Sequence, residues 1–406
     1  MIGDGMADDP VAVLGGKTPL QYANTPAMDA LASAGIIGSV RTIPEGMPAG
    51  SDTAALSIFG YDPGACYTGR APLEAAASGI RMSPGDVAYR CNMVAIKDGD
   101  MPYDEKRLLS HSAGSIEGDQ SIELITSLFG TPAFREKAEK AGVTVYPSPS
   151  FRHIAVQKSV DITGLKLIPP HDHLGEKVGR ILPEGCENAS VLDELMRLAH
   201  VNLNDHPLNM KRREMGKLPA NAIWFWAEGV SVGLPGFTVK YGRTGGVISA
   251  VPLCQGIAVL AGLDKIYVEG ATGELHTNYE GKADAVLEAL GTYDFAAVHI
   301  EAPDECTHDG DLKGKIQAIE WIDARVVATL VRRLSDAGTD YRMLVISDHK
   351  TLLSTRAHDG DPVPFIIYDS RYDRKTGRSY CEAEAAHGQF IGDGTNLMDM
   401  LFETDT

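Results

Sequence analysis

The sequence predicts an α/β fold in which a mainly parallel sheet, covered by helices, is interrupted by an inserted α+β domain. Three observations predict it. From about Val247 onward, short apolar segments alternate regularly with helical stretches, the pattern of parallel strands buried on both faces. Apolar segments at three places run directly into residues of metal-binding type. The stretch from about Cys66 to Gly242 is less regular and richer in Pro, His and basic residues.

Taken in order, the chain opens with Met1-Ile2 running straight into Gly3-Asp4-Gly5, so the strand expected to carry Asp4 has almost no residues of its own. Pro48-Ala-Gly50 then forms a loop, and the residues from Ser51 read as a short helix. The irregular stretch follows, with Pro147-Ser-Pro-Ser150, Pro169-Pro-His-Asp-His173 and Lys211-Arg-Arg213. At 406 residues the chain exceeds one ordinary core, which fits two domains or one domain carrying a large insert. The expected boundaries are 1–65 and 245–406 for the two parts of the sheet domain and 66–244 for the insert. Strands are expected at Lys265–Val268, Ala296–Ile300 and Met343–Ile346. Ile316, Ile319, Ile322, Val326 and Leu330 are spaced to share one helical face, with Asp311 as N-cap and Gly338 just past the end. The uncharged run Thr244–Leu263 has the length of a membrane span, but its glycines, Pro252 and polar residues predict a strand, a turn and a buried helix.

Hydrophobic residues make up 44% and charged residues 23%, the balance of a soluble globular protein. The formal charge of -18 is spread along the chain, which argues against a nucleic-acid-binding surface. Six scattered cysteines without a CxxC pair read as reduced thiols. With no signal peptide or membrane span in the reading, a cytoplasmic protein is expected. An acidic protein that handles anionic substrates needs local positive charge, from metals or from a few Arg and Lys.

The chemistry is carried by the residues that follow the strands. Met1-Ile2 leads to Asp4; Val298-His-Ile300 leads to Asp304 and His308; Leu344-Val-Ile346 leads to Asp348-His349, with His358 in the next loop. Sites in open α/β sheets form beyond the carboxyl ends of strands, so these residues can converge. Carboxylates with imidazoles suit divalent cations such as Mn or Zn better than Ca, and the set is large enough for two ions. Singly, each has an ordinary structural reading: Asp4 as a turn former, Asp304 as a cap, His358 as a surface histidine. Ser51 opens its helix, where serine is ordinarily an N-cap. The same position suits a nucleophile, because helix N–H groups favour an incoming phosphate. Ser57 is the competing hydroxyl, placed inside the helix. Gly16-Lys17-Thr18 resembles the end of a P-loop but has Val11 where the first glycine is required. His171-Asp-His173 could form half a metal site but lies among prolines.

Together these residues resemble cofactor-independent phosphoglycerate mutase of the archaeal type, within the alkaline phosphatase superfamily. The resemblance covers nearly the whole chain. It is carried by Ile2-Gly-Asp-Gly-Met6, Gly50-Ser-Asp52, Gly60-Tyr-Asp-Pro63, Thr68-Gly-Arg-Ala-Pro-Leu-Glu-Ala75, Val247-Ile-Ser-Ala-Val251, Val268-Glu-Gly-Ala-Thr-Gly273, Thr277-Asn-Tyr-Glu-Gly-Lys282, His299-Ile-Glu-Ala-Pro-Asp-Glu305 and Asp361-Pro-Val-Pro-Phe365.

The resemblance implies an alkaline-phosphatase-like sheet domain with a cap inserted in it. It implies one metal on Asp304, His308 and His358, and another on Asp4, Ser51, Asp348 and His349. Mn is the expected metal, with Mg, Co or Zn as alternatives, and no organic cofactor is expected. Ser51 would carry the phosphate. His111 would move protons on glycerate, and Arg70, Arg90, Arg152, Arg212 and Lys282 would bind substrate. Ala71 stands where the family usually has glycine, and Lys350-Thr-Leu-Leu353 where it often has Pro-Thr-Pro; neither removes a ligand. The implied reaction interconverts 3-phosphoglycerate and 2-phosphoglycerate through a phosphoserine, without bisphosphoglycerate. Two alternatives stay open on the sequence: a kinase or phosphatase on the same scaffold acting on another small metabolite, as in relatives labelled homoserine kinases, and a metal-stabilised binding protein without turnover. No nucleic acid or membrane partner is expected, and the oligomeric state is left open.

Overall fold

The computed structural model describes residues 1–231 and 233–403. In chain order its strands are β1 (Ile2–Gly3), β2 (Ile36–Val40), β3 (Val87–Ile96), β4 (Leu108–Ser110), β5 (Val143–Tyr146), β6 (Arg152–Gln157), β7 (Ala222–Val230), β8 (Gly245–Ile248), β9 (Asp264–Ile266), β10 (Phe295–Ile300), β11 (Arg342–Ser347), β12 (Lys350–Leu352), β13 (Ala357–Asp359), β14 (Val363–Asp369) and β15 (Gln389–Ile391). They fall into two compact units, Met1–Tyr67 with Gly233–Thr406, and Thr68–Val232.

The larger unit is built on an eight-stranded sheet in the order β15-β2-β14-β11-β1-β10-β8-β9. Only β14 runs against its neighbours; every other pair is parallel. At the centre, β1 has two residues yet pairs on both edges. Ile2 lies opposite His299 and Ile346, and Gly3 opposite Ile300 and Ser347. Flanking bonds lengthen the pairing: Ile346 N–H donates to Met1 O at 3.1 Å and Asp4 N–H to Ile300 O at 2.9 Å. This register sets the height of the site, because Asp4 and Asp348 are the next residues off adjacent strands.

The isoleucine-spaced helix is capped as its sequence implies: Asp311 accepts from Gly314 N–H at 2.9 Å, and Gly338 adopts φ 64° beyond its end. It is not uniform, however. Leu312–Trp321 and Ala328–Asp336 are α-helical, with a π-turn at Ile322–Val327 between them. The wider turn places Asp323 inward, where it accepts from Met28 N–H at 2.7 Å and Ala27 N–H at 3.2 Å. That caps the helix Pro26–Ala34, whose own N-cap residue, Thr25, makes no side-chain capping bond. The uncharged run resolves into β8 and the helix Pro252–Leu260. Among the described residues no helix is long and apolar enough to cross a membrane.

The smaller unit has its own antiparallel sheet. β3 is buried along its whole length. It pairs with β7 on one edge, and on the other with β6 and then, further along, with β4. Tyr89, Phe134, Leu195, Trp224 and Phe225 belong to its core. His153 on β6 is fully buried. Its Nδ1 accepts from Ser148 N–H at 3.0 Å, so the proton sits on Nε2, 3.2 Å from Ser121 Oγ.

Burial lowers the His153 pKa to about 4, whereas an unfolded histidine titrates near ~6.5. As pH falls the unfolded state takes up the proton first, so the contribution is complete above about pH 6.5 and lost on the way to about pH 4. The loss should reach roughly 3 kcal/mol. Urea unfolding at pH 7 and pH 5 should show a smaller acid shift for His153→Gln than for the native chain. The same shift in both would remove this role for His153.

Candidate active site

Three carboxylates are buried at the carboxyl edge of the larger unit's sheet. Asp4 leaves β1, Asp348 leaves β11, and Asp304 sits in the first turn of the helix Ala302–His308 that follows β10. His308 lies four residues after Asp304 on the same helical face, its Nε2 3.1 Å from Asp304 Oδ2. His349 follows Asp348, with Nε2 3.3 Å from Asp4 Oδ1. The hairpin β12–β13 then returns the chain, setting His358 opposite Thr351. His358 Nε2 stands 3.4 Å from Asp304 Oδ1 and 3.0 Å from His308 Nε2. The sequence-derived ligands therefore converge.

Their protonation is set by the backbone. His308 Nδ1 faces the Arg356 carbonyl at 3.0 Å, His349 Nδ1 faces that of Lys350 at 3.2 Å, and His358 Nδ1 faces that of Ala49 at 3.3 Å. A carbonyl only accepts, so each Nδ1 carries a proton and each Nε2 is turned to the carboxylates, as an N–H donor when the ring is charged and as a lone pair when it is neutral. Two such lone pairs 3.0 Å apart, on His308 and His358, require a cation between them, either a proton or a metal. The carboxylates have spare capacity of the opposite kind. Asp348 Oδ1 accepts from Gly5 and His349 N–H groups at 3.0 and 2.8 Å. Asp348 Oδ2 and Asp4 Oδ1 are buried and make no hydrogen bond. Burial, and then the charges of Asp348 and Asp304, raise the Asp4 pKa well above the usual carboxylate range. Burial would also raise Asp304, but hydrogen bonds from His308 and His358 hold it well below. The bond to Asp304 raises His308 to about 9. Buried anions, aligned lone pairs and unspent oxygens form a donor set suited to divalent cations. The groups able to hold one are Asp304, His308 and His358; Asp4, Asp304 and His349; and Asp4, His299 and Asp348.

Ser51 is the first residue of the helix Ser51–Ile58, and its hydroxyl caps nothing. Gly50 is the N-cap, and no side-chain cap bond forms. Ser51 Oγ instead lies 3.2 Å from Asp4 Oδ2, to which it donates, and 3.1 Å from His349 Nε2. Ser57 is buried inside the same helix, packed against Gly394. Gly5 has φ +61°, and a Cβ there would stand 2.5 Å from Thr351 Oγ1 and 2.8 Å from Asp304 Oδ1. Both its conformation and its surroundings require glycine.

Sequence reasoning did not single out His299, Thr351 or Glu301. His299 Nε2 is buried 3.1 Å from Asp4 Oδ2; as a histidine within an apolar strand it reads as core. Thr351 hydrogen-bonds Asp304 and His349. Glu301, raised to about 7 by burial and then by Glu305 and Asp304, acts electrostatically on Lys282. Lys282 is fully buried, donates to Thr272 O at 3.1 Å and is lowered to about 8 by burial.

The remaining basic residues lie in the smaller unit and differ in kind. Arg90 makes a buried two-pronged ion pair with Glu74, its Nε 2.9 Å from Oε2, and stacks 4.6 Å from the Trp226 ring. Arg152 lies 5.6 Å from the same ring, with a buried Nε that has no acceptor. Burial and then the Arg90 charge lower its pKa, with a smaller lowering from Arg70. His111 has a buried, unpartnered Nδ1, and its ring is 6.0 Å from that of His171, itself 5.1 Å from Trp226. His171 thus belongs to this aromatic and basic cluster. Arg212 is engaged elsewhere: buried, it donates to Leu218 O at 3.0 Å, Gln120 Oε1 at 2.7 Å and Ala113 O at 3.0 Å.

A family profile described as 2,3-bisphosphoglycerate-independent phosphoglycerate mutase matches residues 32–209. A probable enzyme of that name from Geobacter sulfurreducens is 45% identical, over 99% of this chain and 98% of its own. One from Methanosarcina barkeri is 43% identical, over 96% of this chain and 94% of its own. Among solved structures, the PH0037 protein of Pyrococcus horikoshii superposes with a TM-score of 0.81 at 30% identity, covering 100% of this chain and 97% of that one. The cofactor-independent phosphoglycerate mutase of Thermoplasma acidophilum gives 0.65 at 26% identity, over 98% and 97%. The chain belongs to the 2,3-bisphosphoglycerate-independent phosphoglycerate mutase family.

Proposed function

We propose that this chain interconverts 3-phosphoglycerate and 2-phosphoglycerate by passing the phosphoryl group through Ser51. The observation that carries the reading is the Ser51 hydroxyl, free of capping duty and set between Asp4 and His349. In the first half-reaction the Ser51 Oγ–P bond forms as the C3 O–P bond of the substrate breaks. The serine proton passes to the released glycerate oxygen. In the second, the C2 hydroxyl of glycerate attacks phosphoserine, its proton returning to Ser51 as the Oγ–P bond breaks.

Asp304, His308 and His358 are proposed to hold one divalent cation, and Asp4, Ser51, Asp348 and His349 the other, with Mn favoured over Mg, Co or Zn by the imidazoles. The bound cations would supply Lewis-acid stabilisation of charge on the exchanging oxygens. Asp4 orients the serine hydroxyl. N–H groups opening the helix Ser51–Ile58 favour a phosphate on Ser51. Arg152, with its unspent buried Nε, and His111, with its unspent Nδ1, are suited to a carboxylate and a hydroxyl. Arg70 is assigned to the same anion-binding group, on its electrostatic proximity to Arg152. Arg90, neutralised by Glu74, supports the Trp226 platform, and Arg212 supports the loops it bonds. Lys282 is assigned to the substrate anion, where a pKa near 8 lets it act as a proton carrier.

Ser51→Ala should lower mutase turnover by at least about a thousandfold while the fold remains. Acid quenching of the native enzyme during turnover should leave phosphate on the peptide containing Ser51; phosphate on Ser57 or on a histidine would refute the carrier assignment.

His308, raised to about 9 by its bond to Asp304, holds a second proton near pH 7 in metal-free protein. Mn binding must displace it, and affinity should fall as pH drops. Calorimetry in buffers of different ionisation enthalpy should register proton release, and chelation should abolish mutase activity until Mn is restored. Binding without proton release would contradict this protonation state, and full activity after chelation would contradict metal dependence.

Arg152→Ala should raise KM for 3-phosphoglycerate by about tenfold or more with little change in melting temperature. Arg212→Ala should do the reverse, lowering the melting temperature. Interchanged effects would reassign the two arginines.

A further inference from the structure

Thr351 touches residues proposed above for both cation positions, and nothing so far gives it a part in the chemistry. Its hydroxyl Oγ1 is 2.5 Å from Asp304 Oδ1 and 3.2 Å from His349 Nδ1, and Thr351 stands directly across the hairpin from His358. The direction of these bonds is determined. His349 Nδ1 also faces the Lys350 carbonyl at 3.2 Å, so it carries a proton and can donate to Oγ1. The threonine proton is then left for Asp304 Oδ1. The run is a relay, His349 Nδ1–H to Thr351 Oγ1–H to Asp304 Oδ1. In the assignment proposed above, Asp304 serves one position with His308 and His358 and His349 serves the other with Asp4 and Ser51, while Asp4, Asp304 and His349 also lie close enough together to hold a cation.

The hydroxyl is held in place from every side. Thr351 N–H donates to Ala7 O at 3.1 Å, and Lys315 Nζ donates to Thr351 O at 2.7 Å. Lys315 is itself fully buried and anchored on Asp8 at 2.8 Å. Gly5 leaves no room for more than a hydrogen beside Oγ1. Buried polar groups thus converge on this one hydroxyl.

We propose that Thr351 is a positioning residue that couples the two cation positions, so that filling either one orders a ligand of the other. The inference rests on the two-cation reading above. A cation drawing on Asp304 fixes that carboxylate and so the threonine rotamer. The rotamer in turn holds the ring plane of His349, whose tautomer the Lys350 carbonyl already sets and whose Nε2 serves the second position. The effect runs equally in the other direction, as linkage requires, and it opposes the repulsion between two neighbouring cations.

The test is titration of metal-free protein with Mn, read by calorimetry and by the spin–spin broadening of paired Mn in electron paramagnetic resonance. The native chain should bind two Mn as a coupled pair. Thr351→Val, which keeps the shape and loses the hydroxyl, should bind the two independently and about tenfold more weakly. Thr351→Ser should stay within about threefold of native. Should the valine variant not fold in the metal-free state, Thr351→Ala carries the same expectation with a smaller side chain. Native-like coupled binding by a folded variant without the hydroxyl, or a serine variant as impaired as valine, overturns the proposal. A native chain that binds fewer than two Mn overturns the two-cation reading itself, and so separates the two failures.

Discussion

The larger unit is organised around one electrostatic constraint: Asp4, Asp304 and Asp348 are buried together at the ends of neighbouring strands. Buried carboxylates cost several kcal/mol each unless they are paired or hydrogen-bonded. Compensation is visible at each. Asp348 takes two backbone N–H groups, Asp4 takes the Ser51 hydroxyl, and Asp304 takes the Thr351 hydroxyl with two histidines beside it. The compensation is incomplete, since Asp4 Oδ1 and Asp348 Oδ2 accept no hydrogen bond. A fold whose only requirement was stability would replace such a cluster by apolar packing. Retaining it makes sense where cations complete it, and the sheet register, the glycine at position 5 and the hairpin carrying His358 all follow from keeping these oxygens within reach of one another.

How much of this was legible in the sequence depended on whether the signal was local. The convergence of Asp4, Asp304 and Asp348 could be read because each follows an apolar segment, and the topology of a parallel sheet does the rest. The strands around Lys265, Ala296 and Met343 were found for the same reason. The π-turn at Ile322–Val327 was not, because a stripe of apolar residues at spacings of three and four tolerates one wider turn. The available hint was Asp323, an acidic residue next to the buried stripe, whose partners lie almost three hundred positions away in the chain. Thr351 and His299 lie in segments that match the family, but nothing about either residue itself marked a role. A threonine in a short strand and a histidine among valine and isoleucine are ordinary until the neighbours arriving from other strands are known.

The inserted stretch shows the converse. Its irregularity was apparent, but its antiparallel sheet was not, because β3 is buried on both faces and lacks the alternation that marks a half-exposed strand. Its basic residues also looked equivalent in sequence, and the structure separates them. Arg90 is already paired with Glu74, Arg212 is spent on neutral oxygens of its own unit, and Arg152 keeps a buried donor unspent. Burial alone cannot rank these arginines for anion binding. The distinguishing quantity is whether an acceptor has already been supplied from within the chain.

The two units thus hold opposite unspent inventories. The larger one has Asp4 Oδ1, Asp348 Oδ2 and His299 Nε2 without hydrogen-bond partners, a set suited to cations. The smaller one has Arg152 Nε and His111 Nδ1 without partners, which suit oxygen-rich groups. A phosphorylated hydroxy acid has needs of both kinds, since its phosphate oxygens are stabilised by cations while its carboxylate and hydroxyl take hydrogen bonds. A phosphatase needs chiefly the first, because water is the acceptor and the alcohol is discarded. A mutase must also keep hold of the alcohol after the phosphate has left it, because the same molecule returns as the nucleophile. Under the reading proposed above, donors of the kind left on Arg152 and His111 would serve that second task, which hydrolysis does not have.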